Sequence, residues 1–215
     1  MMLVDVCIPT RSKRLFKKVY QSIKREIPYR RIILEHAVPL SLARKLLIEK
    51  AQTEWFLFLD DDVILGKNWF KKVSRYMDDD VGAIEGIDIG KKRCLEIKRY
   101  ERGLLLATLI RRSLVQDWIP RKGFESNFED YDLTQHVIKK GYRWLRVNVP
   151  GTRHISFHPH ASQTGFEVFL SEGFSNRERL LYLIHLARIY SATSISGKMI
   201  LNYVNSIFLW LKNHK

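Results

Sequence analysis

The sequence predicts an α/β fold, a sheet with crossover helices on its faces. Three observations lead there. Short apolar runs that read as buried strands recur at residues 3–8, 55–59 and 81–84. Stretches with helical apolar spacing lie between them. Strand and helix then keep alternating up to Val149, which suits a sheet wound with helices.

Each element has its own signal. Residues 3–8 form a buried first strand that Pro9 ends. Ser12 is placed to cap a helix over 13–27. Leu15, Phe16, Val19, Ile23 and Ile27 line one face of that helix, and lysines and arginines fill the other. Residues 31–34 are a short second strand. Residues 41–52 read as a helix with Leu42, Leu46, Leu47 and Ala51 inward. The run WFLFL over 55–59 is apolar throughout, as a central parallel strand is. A helix is expected over 68–77 and strands over 81–84 and 104–110. Glu129 or Asp130 opens a helix that runs to Lys140 and stops at Gly141, a natural C′ residue. Residues 144–149 are the last strand. Two tail helices are expected over 176–190 and 197–212.

Composition bounds the function. The chain has 215 residues, 46% of them hydrophobic, enough for a buried core. Lys plus Arg number 37 against 23 acids, a net charge of +14, which favours anionic partners. Cys7 and Cys94 have no metal-type spacing and suit a reduced, cytoplasmic compartment. The opening MMLVDVCIPTR lacks the basic n-region and long apolar core of a signal peptide. No run reaches the ~18 apolar residues of a membrane span.

In such sheets ligands bind beyond the carboxyl ends of the strands. Pro9 and Thr10 lie at one such end, and Asp60, Asp61 and Asp62 at another. These aspartates either cap the following turn, or stand solvated, or, because adjacent carboxylates repel, hold a cation among them. Hard oxygen ligands on a short loop suit Mg²⁺ or Mn²⁺. A second acidic group, ESNFEDYDL, opens the helix at Glu129 and Asp130. There it either caps the helix or supplies a carboxylate that takes a proton from an attacking hydroxyl.

These residues carry a resemblance. The order VCIPT, LARKLLIEKAQTEWFLFLDDDV, LIRRS, GFESNFEDYDLTQHVIKKGYRW and then a histidine resembles family 2 glycosyltransferases of the GT-A fold. The resemblance implies a mixed, Rossmann-like sheet, with a catalytic domain over 1–160 and a loop and helical appendage over 161–215. It implies Asp60 and Asp62 as the DxD pair, with Asp62 on the metal and Asp60 facing the ribose or the metal's waters. Asp61, between them, contributes to the same site. Asp130 becomes the general base, supported by Glu129. His154 becomes a metal ligand, with His158 and His160 as competitors. Arg44 braces the nucleotide site, and Pro9, Thr10 and Arg11 dock the base and ribose. The implied activity is metal-dependent, inverting transfer of one sugar from a nucleotide-sugar, a UDP-sugar by preference. The acceptor is a hydroxyl on a glycan or a lipid-linked molecule, and the enzyme sits at most peripherally on the cytosolic membrane face.

The departures are specific. The acidic, Ser/Gly-rich loop usual after the second strand is missing, and Glu35 is the only acid left there. There is no QxxRW, so a processive polymerase is not expected. A polyprenyl-phosphate sugar synthase of the same family is the alternative enzyme. A sugar nucleotidyltransferase needs a Gly-rich loop that VCIPTRSKR lacks. A basic nucleic-acid binder leaves both acidic clusters unexplained, because they repel phosphate. Residues 151–173 read as an acceptor-side loop, and 197–212 as an amphipathic helix suited to a membrane interface or to packing on the domain or on a partner chain.

Overall fold

The computed structural model describes residues 2–10, 17–122, 124, 128–155, 175, 177, 178 and 181. The elements in chain order are β1 (Val4–Pro9), α1 (Lys17–Glu26), β2 (Tyr29–Glu35), α2 (Leu40–Lys50), β3 (Trp55–Leu59) and β4 (Val63–Ile64). They continue with α3 (Trp69–Val73), β5 (Val81–Ile87), β6 (Cys94–Ile97), β7 (Ala107–Arg111), α4 (Glu129–Lys139), β8 (Arg143–Asn148) and β9 (Arg153–His154). Short 3₁₀ turns follow α3 and β7.

Seven strands make one mixed sheet in the order β2-β1-β3-β7-β5-β8-β6. β1 lies parallel between β2 and β3. β7 runs antiparallel between β3 and β5, and β8 is parallel to β5 and antiparallel to β6. The carboxyl ends of β1, β3, β5 and β8 therefore share one edge. β4 and β9 form a separate two-stranded ribbon.

Strand side chains alternate between two cores, as the pleat requires. Val6, Ile8, Leu57 and Leu59 pack with Val19 and Ile23 of α1 and Trp69 and Val73 of α3. Cys7, Phe56 and Phe58 point the other way, to Leu47 and Ile48 of α2 and Leu133 and Val137 of α4. The molecule thus has an α1/α3 layer and an α2/α4 layer around the sheet. Each fully buried Leu or Phe contributes about 1.5–3 kcal/mol, so both faces must stay covered.

Up to Asn148 the expected strands and helices are present among the described residues, with instructive shifts. The part of the first helix around Ser12 falls outside the described residues. β2 is longer than expected, and so is β5. The strand WFLFL is parallel only on its β1 side, because the antiparallel β7 takes its other edge. The helix expected over 68–77 breaks after Val73 into a 3₁₀ turn. Leu42 faces solvent rather than the core, while Ser41, Arg44 and Ile48 lie buried on one face. α2 is turned so that Arg44 reaches carboxylates on the core side. The sequence reading missed β6, which lies between charged residues that mask its short pattern. Gly141 ends α4 at a φ of +88°, as anticipated. Of the tail helices, only the start of the first is described. Ser175 and Glu178 bond reciprocally there, Ser175 N to Glu178 Oε2 at 3.1 Å and Glu178 N to Ser175 Oγ at 3.2 Å. That is a capping box. The second tail helix, the 151–173 loop beyond Ile155 and the 1–160/161–215 division fall largely outside the described residues.

Candidate active site

β1 and β3 run parallel and deliver their ends together. Thr10 Oγ1 donates to Asp61 Oδ2 at 2.5 Å. Thr10 N donates to the Glu35 carbonyl at the end of β2. Pro9, Thr10, Glu35 and the three aspartates therefore occupy one sheet edge. The Glu35 carboxylate itself is engaged by Lys50 Nζ at 2.5 Å, and that contact holds its pKa below the usual value. Arg11 is outside the described residues.

The tight turn after β3 separates the aspartates. Asp60 N donates to the Leu106 carbonyl, and Val63 N returns to the Asp60 carbonyl. Asp60 Oδ1 faces Arg44 Nη2 at 3.4 Å. Asp62 Oδ1 instead meets His154 Nδ1 at 3.1 Å, across the ribbon that pairs Val63 with His154. Burial pushes the Asp60 carboxyl up to about 7, Arg44 pulls it back, and the charge on Asp62 adds to the rise. His158 and His160 lie outside the described residues.

Arg44 joins the two acidic clusters. Its Nη1 donates to Glu129 Oε1 at 2.6 Å while Nη2 faces Asp60. The Arg44 and Glu129 side chains are each 5% exposed. Burial raises the Glu129 carboxyl above its usual range, with Arg44 opposing and Asp130 adding to the shift. Glu129 thus ties α4 to α2 and, through Arg44, to the β3 end.

Asp130 has a different guanidinium. Arg102 Nε and Nη2 both lie 2.7 Å from Asp130 Oδ2, and Tyr131 N donates to Oδ1 at 2.8 Å. The loop carrying Arg102 is anchored on α4. Tyr100 N donates to Gln135 Oε1, Gln135 Nε2 to the Glu101 carbonyl, and Gly103 N to Thr134 Oγ1. A Cβ at Gly103 would stand 2.6 Å from Thr134 Oγ1 and Trp144 Cε2, so only glycine lets the loop come this close. Underneath, buried Glu85 accepts from Leu104 N, Trp144 Nε1 and Arg146 Nε.

Asp132 completes the turn. Trp118 Nε1 donates to its Oδ2 at 3.0 Å, and Arg121 binds it through both backbone N and Nε. Arg121 Nη1 also faces Glu178 at 3.4 Å, linking the tail cap to the site. Each acid in the first turn of α4 is therefore matched by an arginine from a separate segment.

Sequence reasoning did not single out Arg102, Asp132 or Glu85. Arg102 sits in the charged run KRYER, where nothing marks one cation over another. Asp132 was visible in the pattern but had no partner until the fold brought Arg121 and Trp118 to it. Glu85 looks like an ordinary strand acid until Trp144 and Arg146 come alongside from β8.

Which ion fits? A carboxylate oxygen at the sheet edge is the donor type that Mg²⁺ or Mn²⁺ takes, and an imidazole beside it favours Mn²⁺ or another transition metal over Mg²⁺. Asp62 and His154 meet that description, whereas Asp60 is turned toward Arg44. Among the described residues no three His, Cys, Asp or Glu side chains are grouped as a metal site.

A mixed sheet of this order, with acids gathered at its carboxyl edge, is that of the GT-A glycosyltransferases. Residues 3–148 match the model of Glycosyl transferase family 2, and the chain belongs to that family and is a glycosyltransferase. Solved structures show the same fold. TarS 1–349 of S. aureus in complex with UDP-GlcNAc aligns with a TM-score of 0.54 at 13% identity, over 91% of this chain and 75% of that one. A longer S. aureus TarS structure gives 0.56 at 15% identity, over 91% of this chain and 45% of that one. The mannosyltransferase PcManGT of Pyrobaculum calidifontis, in complex with GDP-Man and Mn²⁺, gives 0.53 at 12% identity, over 96% of this chain and 80% of that one. No curated protein sequence matches the chain significantly.

Proposed function

We propose that the protein transfers a single sugar from a nucleotide-sugar to a hydroxyl acceptor, with inversion at the anomeric carbon and a divalent cation at the donor diphosphate. The observation that carries this reading is the Arg44 bridge, which joins the β3 aspartates to the α4 carboxylates in one site. A UDP-sugar is the proposed donor, and a glycan or lipid-linked molecule the proposed acceptor. Solved relatives of this fold hold UDP-GlcNAc or GDP-Man, which supports a nucleotide-sugar without choosing the base.

Asp62 and His154 would hold Mg²⁺ or Mn²⁺. When bound, the ion supplies Lewis-acid neutralisation of the leaving diphosphate. Thr10 and Asp61 shape the floor under the nucleotide. Arg44 fixes Asp60 beside the ribose side of the pocket and holds Glu129 in place. Asp130 takes the acceptor hydroxyl proton as that oxygen forms its bond to the anomeric carbon, and the bond to the diphosphate breaks on the opposite face. Arg102 keeps the Asp130 carboxylate oriented at the head of α4.

The test is thermal stabilisation by UDP-, GDP-, CMP- and dTDP-sugars, each with and without Mn²⁺, on wild type and Asp62→Asn. Ligand at ~100 times its Kd should add about 2.7 kcal/mol. A Mn²⁺-dependent shift with one nucleotide, lost in the variant, is the expected outcome. A shift that ignores both the metal and the substitution would remove the metal from the proposal.

A further inference from the structure

The α1/α3 layer carries charge that the site does not use. Residues 17–26 and 65–77 contain eight lysines and arginines but one acid, Glu26. Glu26 is buried, where it takes Arg25 Nε at 2.5 Å and Trp69 N at 3.3 Å. Among the described residues the other seven cations have no carboxylate partner within ion-pair distance. The two helices adjoin: besides the Glu26 contact, Leu65 N donates to Ser22 Oγ at 3.3 Å. Their outward cations therefore form one continuous face. Asp78, Asp79 and Asp80 lie beyond it, at the amino end of β5, where Asp80 binds Arg143.

A groove opens on this face. Its volume is ≈ 560 Å³, and Lys72, Arg75, Tyr76 and Arg93 line it above Val147 and Pro150. No acid lines it. Lys91 and Lys92, both exposed, precede Arg93 on the β5–β6 turn.

We propose that the α1/α3 layer is a docking surface for an anionic lipid bilayer. Two helices side by side present a broad basic face, which suits a plane of headgroups better than the edge of a rod. Six of the eight cations are lysines. Lysine is a compact, hydrated point charge suited to diffuse attraction, whereas bidentate reading of a defined phosphate favours arginine. The groove differs from the face around it: two of its three cations are arginines, which suits close hold of one headgroup phosphate. The face lies across the sheet from α4, so docking leaves Asp130 uncovered. This surface stands independently of the transfer chemistry proposed above.

The experiment is sedimentation of the full chain with vesicles of phosphatidylcholine alone, or with one-third phosphatidylglycerol, at about 0.1 M salt, where screening leaves close contacts intact. Wild type is compared with Lys71→Glu/Arg75→Glu. A control of equal charge change, Lys122→Glu/Lys139→Glu, lies on the other layer. The expected result is binding to the anionic vesicles only, reduced at least about tenfold in the first variant and less than about threefold in the control. Equal losses in both variants would reduce the effect to net charge and overturn the proposal. So would wild-type binding by the first variant, which places the lipid contact elsewhere. A protein that ignores the vesicles but shifts a random oligonucleotide, in a manner lost with Lys71 and Arg75, would replace the bilayer with nucleic acid.

Discussion

The two helix layers use charge in opposite ways. Within α2 and α4, four acids meet four lysines and arginines. The first-turn acids of α4 are each held by an arginine, and two of those carboxylates join the site. In the α1/α3 layer eight cations meet one buried acid. A net charge of +14 therefore does not describe a uniformly basic protein. One layer consumes its charges in fixed pairs that set geometry. The other leaves them outward, where they act only on what approaches. The difference predicts that substitutions in the first layer cost stability or chemistry, and substitutions in the second cost little of either.

The largest effect is expected at Arg44. Removing one partner of a buried pair leaves an uncompensated charge and typically costs about 3–5 kcal/mol. Arg44→Met should lose about 3 kcal/mol in urea unfolding, and Arg44→Met/Glu129→Gln should recover part of it. A loss below about 1 kcal/mol would mean that water reaches the pair, and the contrast between the layers would weaken.

Next comes the chemistry. Asp130→Asn keeps the shape and the Tyr131 contact but removes the proton acceptor. Turnover should fall by at least ~10², the low end for a general base, while losing the Arg102 pair costs less stability than Arg44→Met. Turnover within a few-fold of wild type would take Asp130 out of that role. In a parallel measurement, Asp62→Asn should abolish the Mn²⁺-dependent part of donor binding. Unchanged donor affinity would move the metal elsewhere.

How much of this was legible in the sequence depends on which physics was involved. β1, β3 and α4 were readable because their signals are local: an apolar run, a period, a glycine at the end. The two acidic clusters were readable for the same reason, as carboxylates at the ends of apolar elements. Their joining through Arg44 was foreshadowed only as a brace, because a sequence shows neither which way α2 turns nor what Arg44 touches. Leu42 was misplaced for that reason: apolarity argued for the core, but the buried guanidinium set the rotation. Arg102, Asp132 and Glu85 work through tertiary partners, and no local pattern marks them. The antiparallel β7 was legible as a strand but not in its direction, which the long loop before it allows.

Glu85 gives a smaller, signed effect within the ordered layer's support. Burial raises its carboxyl above the usual value, against the pull of Arg146. The folded protein therefore holds a proton there more tightly than the unfolded chain does. That contribution is full below the unfolded value, ~4.3, and is lost as pH rises through the native one. Stability should thus gain from this group as pH falls through that native value. Glu85→Gln should flatten that part of the Tm–pH curve while lowering Tm throughout, because Arg146 loses its carboxylate. Parallel curves for the two proteins would show that Glu85 stays ionised in the fold.

The smallest effect belongs to the other layer and has the opposite sign. Like charges on neighbouring helices repel, so Lys71→Glu should leave stability within about 0.5 kcal/mol of wild type, on the stabilising side at low salt. At about 1 M salt, where the Debye length is ~3 Å, the gain should vanish. A clear loss of stability at both salt concentrations would mean that Lys71 packs or pairs after all. Small gains at low salt across this layer, beside a large loss at Arg44, are what a surface kept charged for an outside partner produces. A face whose cations were needed for folding would respond as α2 and α4 do.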